Sequence, residues 1–199
     1  MKIGVLALQG AFSEHIRILK KLGAQAVEIR RPAEMDGLDG LIIPGGESTT
    51  IVKLADAYGL REPIRRMARA GKPVMGTCAG LILLASAVSD DNIEPLKLMD
   101  MTVRRNAFGR QVDSFETQLD MPCLGKEPCH AVFIRAPLID KTGGKCEVLA
   151  TLADGAVVAV RQDNLVALAF HPELSHDDRV HRYFLNMVEE SSPGRTELG

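Results

Sequence analysis

The sequence predicts an α/β protein built on a doubly wound, mostly parallel sheet flanked by helices, with some antiparallel additions. Three observations predict it. Short, nearly continuous apolar runs recur along the 199 residues, as strands buried on both faces require. In the first half these runs alternate with stretches of helical periodicity, the pattern of successive βαβ units. Glycine or proline falls where each helix has to stop or the next strand has to start.

The first strand is Ile3 to Leu8. Phe12, Ile16, Leu19 and Leu22 follow at the spacing of one helix face, and Gly23 is placed as a C-terminal cap. Ala26 to Ile29 and Leu41 to Ile43 are the second and third strands, Tyr58 to Ala70 is a helix closed by Gly71, and Pro73 opens a strand through Met75. Leu81 to Ala85 is helix-forming. Between about Met99 and Val160 helical periodicity fades, and Thr102-Val103, Asp113 to Leu119 and Val132 to Ile134 look like antiparallel additions. Val157 to Val160 and Val166 to Phe170 return to the buried-strand pattern, and Asp177 to Glu190 carries helical spacing through Val180, Tyr183, Phe184 and Met187. Residues 1–190 are expected to form one domain, with a polar, frayed tail at 191–199.

Composition narrows the function classes. Hydrophobic content of 46%, 25% charged residues and a formal net charge of -2 leave no basic footprint for nucleic acid. No apolar run approaches membrane-spanning length, and a strand-like run follows Met1 at once, so no membrane partner and a cytoplasmic location are expected. Cys78, Cys123, Cys129 and Cys146 lack C-x-x-C spacing, and the five histidines form no H-x-x-x-H pair, so free thiols and no metal are expected. Gly143-Gly144-Lys145 lacks the upstream glycine of a P-loop and reads as a turn.

The chemistry concentrates at three strand exits. Gly76-Thr77-Cys78-Ala79-Gly80 lies between a strand and a helix, where a nucleophile elbow projects its reactive side chain from a tight turn that only small neighbours permit. A thiol at a helix N-terminus is favoured as the thiolate. His171-Pro172-Glu173 follows another strand; in extended backbone residues two apart share a side, so Glu173 can orient the His171 ring. Gly45-Gly46-Glu47-Ser48-Thr49 follows a third, and its glycines free backbone N–H groups for a developing oxyanion, with Gly46 and Ala79 as the donor pair. Taken alone, Cys78 is as readily a buried structural cysteine, and His171 is more often a structural histidine, Glu173 a solvated surface acid and Gly45-Gly46 a turn or helix entry. Their placement after three separate strands favours a site.

These residues resemble class I glutamine amidotransferases, whose glutaminase domains use a Cys-His-Glu triad on a flavodoxin-like doubly wound fold. Within that class, six segments resemble the family of glutaminase subunits of pyridoxal 5'-phosphate synthase. They are Leu8-Gln9-Gly10, Pro44 to Thr50, Gly76 to Gly80, Arg105-Asn106-Ala107-Phe108-Gly109-Arg110-Gln111, Val132-Phe133-Ile134-Arg135-Ala136-Pro137 and His171 to Leu174. The fourth and fifth are the runs specific to this family. Ser175, where threonine is usual, and Lys97, where a small residue is usual, are the departures.

The resemblance implies hydrolysis of L-glutamine to glutamate and ammonia, with Cys78, His171 and Glu173 as the triad. It implies glutamine contacts from Gly46, Glu47, Ser48, Arg105, Ile134 and Arg135. It also implies no bound cofactor, and a synthase partner on a (β/α)8 barrel, in a large hetero-oligomeric complex, that consumes the ammonia. Three other readings share parts of this pattern: a glutaminase of another amidotransferase pathway, a non-catalytic module of the same fold, and a cysteine peptidase.

Overall fold

The computed structural model describes residues 1–89, 93–105 and 114–192. β1 (Lys2–Leu6), α1 (Phe12–Lys21) and β2 (Gln25–Ile29) form the expected opening βαβ unit, and β3 (Gly40–Ile43) returns to the other side of β1. Two helices follow, α2 (Ser48–Ala57) and α3 (Arg61–Arg69), before β4 (Val74–Thr77) and α4 (Ala79–Leu84). The second half runs β5 (Ala85–Val88), β6 (Met99–Arg104), β7 (Ser114–Leu119), β8 (Cys129–Ile134), β9 (Leu138–Thr142), β10 (Glu147–Thr151), β11 (Val157–Gln162), β12 (Leu165–Leu168) and α5 (Arg179–Ser191).

One large sheet has the order β2-β1-β3-β4-β12-β11-β9-β6-β5, with β10 on β11, and β7 pairs β8 separately. From β2 to β12 every pairing is parallel, and the antiparallel pairings expected in the middle region join β12 to β11, β11 to β9 and β10, and β9 to β6. Strand order reverses between β1 and β3, which makes the carboxyl ends of these strands the crevice where such sheets bind ligands. Leu168 lies opposite Thr77 in parallel register, so the chain leaves β4 and β12 side by side.

The two faces are covered by different helices. A Cβ on Gly40 would lie 2.8 Å from Val188 of α5, whereas one on Gly76 would lie 2.5 Å from the Gly80 backbone of α4. The register puts these two glycines on opposite faces. α1 shares the α5 side, since His15 of α1 meets His181 of α5 at 2.9 Å. Around that pair the packing against the sheet is apolar, with Ile3, Leu19, Phe184 and Val188 at 0% exposure.

Three sequence expectations are corrected, and one helix, α2, was missed. The helix read from Tyr58 to Ala70 is α3 alone, because Tyr58 ends α2 and Gly59 breaks the chain at φ +68. α2 was hidden because Ser48-Thr49-Thr50-Ile51-Val52 consists of residues whose χ1 freedom or hydroxyl disfavours helix; Glu47 starts it by accepting a bond from the Thr49 N–H at 3.4 Å. Ala85, read as helical, begins β5. His171 to Glu173 is not extended, because Pro172 opens a 3-10 turn over Pro172–Leu174, as its fixed φ favours at that position. Gly143-Gly144-Lys145 is a turn between β9 and β10, as expected. Positions 106–111 of the family-specific run, position 112, position 113 at the start of the strand expected to Leu119, and 193–199 of the tail lie outside the described residues.

Candidate active site

Cys78 occupies φ 48, ψ −102 between β4 and α4, a region that costs a non-glycine residue on the order of 1–3 kcal/mol. The surroundings hold it there. Its N–H donates to the Leu168 carbonyl at 2.8 Å, and the glycines on either side are sterically compelled. A Cβ on Gly80 would sit 2.0 Å from the Ile43 carbonyl oxygen, and one on Gly76 would strike Gly80. The turn thus brings β3, β4 and β12 to one point with the thiol at its apex. Cys78 Sγ lies 3.9 Å from the Ile134 carbonyl oxygen and is 7% exposed.

His171 reaches the thiol from β12. Its backbone N–H donates to the Val132 carbonyl at 2.8 Å, which ties β8 to the site. Phe133 packs on Phe170 with ring centroids 5.6 Å apart, an aromatic contact worth about 0.5–1.5 kcal/mol beyond its area. Gly45 makes room for the imidazole, because a Cβ there would be 2.3 Å from His171 Cε1. His171 Nδ1 bonds to Glu173 Oε1 at 2.7 Å, and the ring also bonds to Cys78. Glu173 is buried, with 1% exposure.

The charges follow from these contacts. Burial opposes protonation of His171, but the bonds to Cys78 and Glu173 and their negative charges outweigh it and raise the imidazole to about 10. Burial pushes Glu173 up; attraction to the His15 ring, then the bond to His171 and its charge, overcome this and hold it below the usual carboxylate range. The resting site is therefore an imidazolium held between a sulfur and a carboxylate.

A cleft of about 290 Å³ opens above the thiol. The sequence-predicted residues Gly46, Glu47, Ser48, Cys78, Ala79, Arg105, Ile134, Arg135 and His171 all line it, and Glu173 lies behind His171. Glu47 Oε1 and Arg105 Nη2 form an ion pair at 3.0 Å, and Arg135 holds φ 42. Gln9 fixes the glycine loop, because its side-chain oxygen accepts the Glu47 N–H at 2.7 Å while the Gly45 carbonyl accepts the Ala11 N–H at 3.2 Å. Ala11 and Ile82 also line the cleft and were missed, since an alanine just before α1 and an apolar residue on α4 carry no chemical signature. A larger omission is the buried trio Thr77, His15 and His181 behind Glu173, whose histidines are 166 residues apart in sequence. Among the described residues no group of three or more His, Cys, Asp or Glu could hold a metal ion, and no helix is long and apolar enough to cross a membrane.

A parallel sheet with a cysteine on a strained strand-to-helix turn is the arrangement expected of a glutamine amidotransferase. A solved glutamine amidotransferase superposes with a TM-score of 0.89 at 48% identity, over 94% of this chain and 98% of its own. The fold alone is shared with PurLQS from Thermotoga maritima, at a TM-score of 0.67 and 15% identity over 93% and 97% of the two chains. The chain belongs to the SNO glutamine amidotransferase family, whose sequence profile matches residues 5–190. Among its relatives is a pyridoxal 5'-phosphate synthase subunit PdxT from Dehalococcoides mccartyi, 59% identical over 95% of this chain and 98% of its own. The subunit of that name from Moorella thermoacetica is 58% identical over 94% of this chain and all of its own.

Proposed function

We propose that this chain is the glutaminase subunit of a pyridoxal 5'-phosphate synthase, with residues 1–190 as its glutaminase domain. The observation that carries this is the hydrogen-bonded line Cys78, His171, Glu173 at the floor of a cleft with a charged rim, in a chain of the SNO family. The thiolate of Cys78 attacks the side-chain amide carbon of L-glutamine, and electrons move onto the carbonyl oxygen. The N–H groups of Gly46 and Ala79 bond that oxyanion, each such donor being worth on the order of 3 kcal/mol. The imidazolium of His171 gives its proton to the amide nitrogen, the C–N bond breaks, ammonia leaves and a glutamyl thioester remains. Neutral His171 then takes a proton from water, the hydroxide attacks the thioester, and glutamate departs as the thiolate re-forms. Glu173 fixes the imidazole tautomer throughout.

Specificity comes from the rim. A free amino acid carries an ammonium and a carboxylate; the Glu47 carboxylate takes the first, and Arg105 and Arg135 take the second through charge-assisted bonds. Gly46, Ser48 and the Ile134 backbone complete the glutamine site. Ammonia released into bulk water would be protonated and diluted, so a synthase partner docks over the cleft and consumes it. The resemblance of the six segments supports a (β/α)8 barrel for that partner, and a large hetero-oligomeric complex in the cytoplasm. The test is glutamate release from L-glutamine by the chain alone and with its synthase partner. Strong stimulation by the partner is expected; turnover indifferent to it would overturn the assignment to this synthase.

A further inference from the structure

Behind Glu173 lies a closed set of polar side chains for which the proposed chemistry has no role. His15 from α1, Thr77 from β4 and His181 from α5 are each 0% exposed. His15 Nε2 is 3.3 Å from Glu173 Oε2 and 3.4 Å from Thr77 Oγ1, and His15 Nδ1 is 2.9 Å from His181 Nε2. Glu173 Oε1 is committed to His171, while Oε2 and His181 Nδ1 lack a hydrogen-bond partner among the described residues. Residues of α1, β4 and α5 thus meet behind Glu173, with His15 next to the oxygen that faces away from the cleft.

We propose that His15 is a positioning residue for Glu173: its Nε2–H, bonded to Thr77 Oγ1 and lying 3.3 Å from the inner carboxylate oxygen, attracts that oxygen and so holds the outer one on His171. This rests on the triad reading given above. The proton positions follow from electrostatics. A lone pair on His15 Nε2, 3.3 Å from a buried carboxylate oxygen, would be repelled, so Nε2 carries the hydrogen and donates it to Thr77 Oγ1. His15 Nδ1 is then an acceptor, and His181 Nε2–H donates to it. His181 Nδ1 keeps a lone pair, and an unpaired acceptor is the cheaper of the two ways to leave that atom.

Both rings stay neutral. Burial lowers His15, opposed by attraction to Glu173 and Glu14 and aided by repulsion from His171. Burial likewise lowers His181, to about 3, with His15 adding to the effect and Glu173 and Asp178 opposing it. Neutrality matters for function. A cationic His15 would compete with His171 for the single carboxylate, whereas a neutral donor fixes its direction and leaves its charge to the imidazolium.

The experiment is a double-mutant cycle on kcat/KM for glutamate release, with the synthase partner present. His15→Met and His15→Gln have nearly the same shape, but only Gln keeps a donor near the Nε2 position. His15→Met is expected to lose about tenfold, His15→Gln no more than about threefold, and His15→Met in a Glu173→Gln background no more than about twofold further. An equal loss for His15→Met in both backgrounds, or equal impairment by Gln and Met, overturns the proposal. If His15→Met does not fold, His181→Phe replaces it in the cycle; its loss must also vanish in the Glu173→Gln background, and persistence there overturns the proposal. Wild-type kcat/KM in Glu173→Gln alone would overturn the triad reading instead, which keeps the two failures apart.

Discussion

Replacing Glu173 by glutamine keeps the shape of the buried side chain and removes its charge, and the site itself sets the size of the response. His171 is raised to about 10 from an ordinary 6.5, about 3.5 pH units, or on the order of 5 kcal/mol at roughly 1.36 kcal/mol per unit. Burial works against that rise, and the interactions with Cys78 and Glu173 produce it. An even division assigns the carboxylate about 2.5 kcal/mol, or a little under two pH units. In Glu173→Gln the imidazolium is therefore lost near pH 8 (about 10 in the wild type), and the alkaline limb of kcat/KM moves down accordingly. Stability carries the same sign. A group whose pKa is raised on folding contributes fully below its unfolded value and loses that contribution as pH rises through the folded one. Wild-type stability should thus decline between about pH 6.5 and 10, and the variant's should decline earlier and less. The assay is the pH dependence of kcat/KM for glutamine with the synthase partner present, beside denaturant unfolding at pH 6 and 9. An alkaline limb at the same pH in both proteins would refute the reasoning.

Three further outcomes follow from the same geometry. Burial raises the thiol pKa of Cys123 and Cys146 and takes Cys129 to about 11, whereas Cys78 is bonded to an imidazolium. Iodoacetamide at pH 7.5 should therefore label Cys78 first and leave Cys129 unmodified in peptide mass spectra, and faster labelling of the exposed Cys123 would contradict this. Gly80→Ala places a methyl 2.0 Å from the Ile43 carbonyl oxygen, where backbone has to yield. A loss of about 3 kcal/mol or more is expected in denaturant unfolding, against about 1 kcal/mol for Gly59→Ala, which meets only open space at φ +68. Arg105→Ala breaks the 3.0 Å pair with Glu47 and removes a cation from the rim. KM for glutamine should rise on the order of tenfold or more with kcat nearly unchanged; a loss confined to kcat would mean that Arg105 does not bind substrate.

The parallel half of the fold was legible because its strands, the edge strand β2 apart, are buried on both faces and the turn around Cys78 needs its glycines. Gly76 and Gly80 could be read from the sequence as steric requirements, and the backbone contacts bear them out. α2 was not legible, since its first turn is made of weak helix formers and depends on the Glu47 cap. β9 and β10 escaped notice for another reason. They are half-exposed additions, Leu138-Ile139-Asp140-Lys141-Thr142 and Glu147-Val148-Leu149-Ala150-Thr151, without a continuous apolar run. Within the site, Cys78, His171 and Glu173 were accessible to chemical reasoning, while Arg105, Ile134 and Arg135 came only from resemblance to a family. Nothing local marks His15 or His181 as neighbours, because folding of α1 and α5 onto one sheet face creates their contact. Buried polar chains of this kind are a property of packing, not of spacing.

The central claim is that Cys78 carries the glutamyl group. Its most direct test is an acid quench of the synthase complex during turnover of isotopically labelled glutamine, followed by peptide mass spectrometry. Label is expected on the peptide containing Cys78, removable by hydroxylamine, and none in Cys78→Ala. Continued glutamate production by Cys78→Ala, or label on another residue, would contradict it.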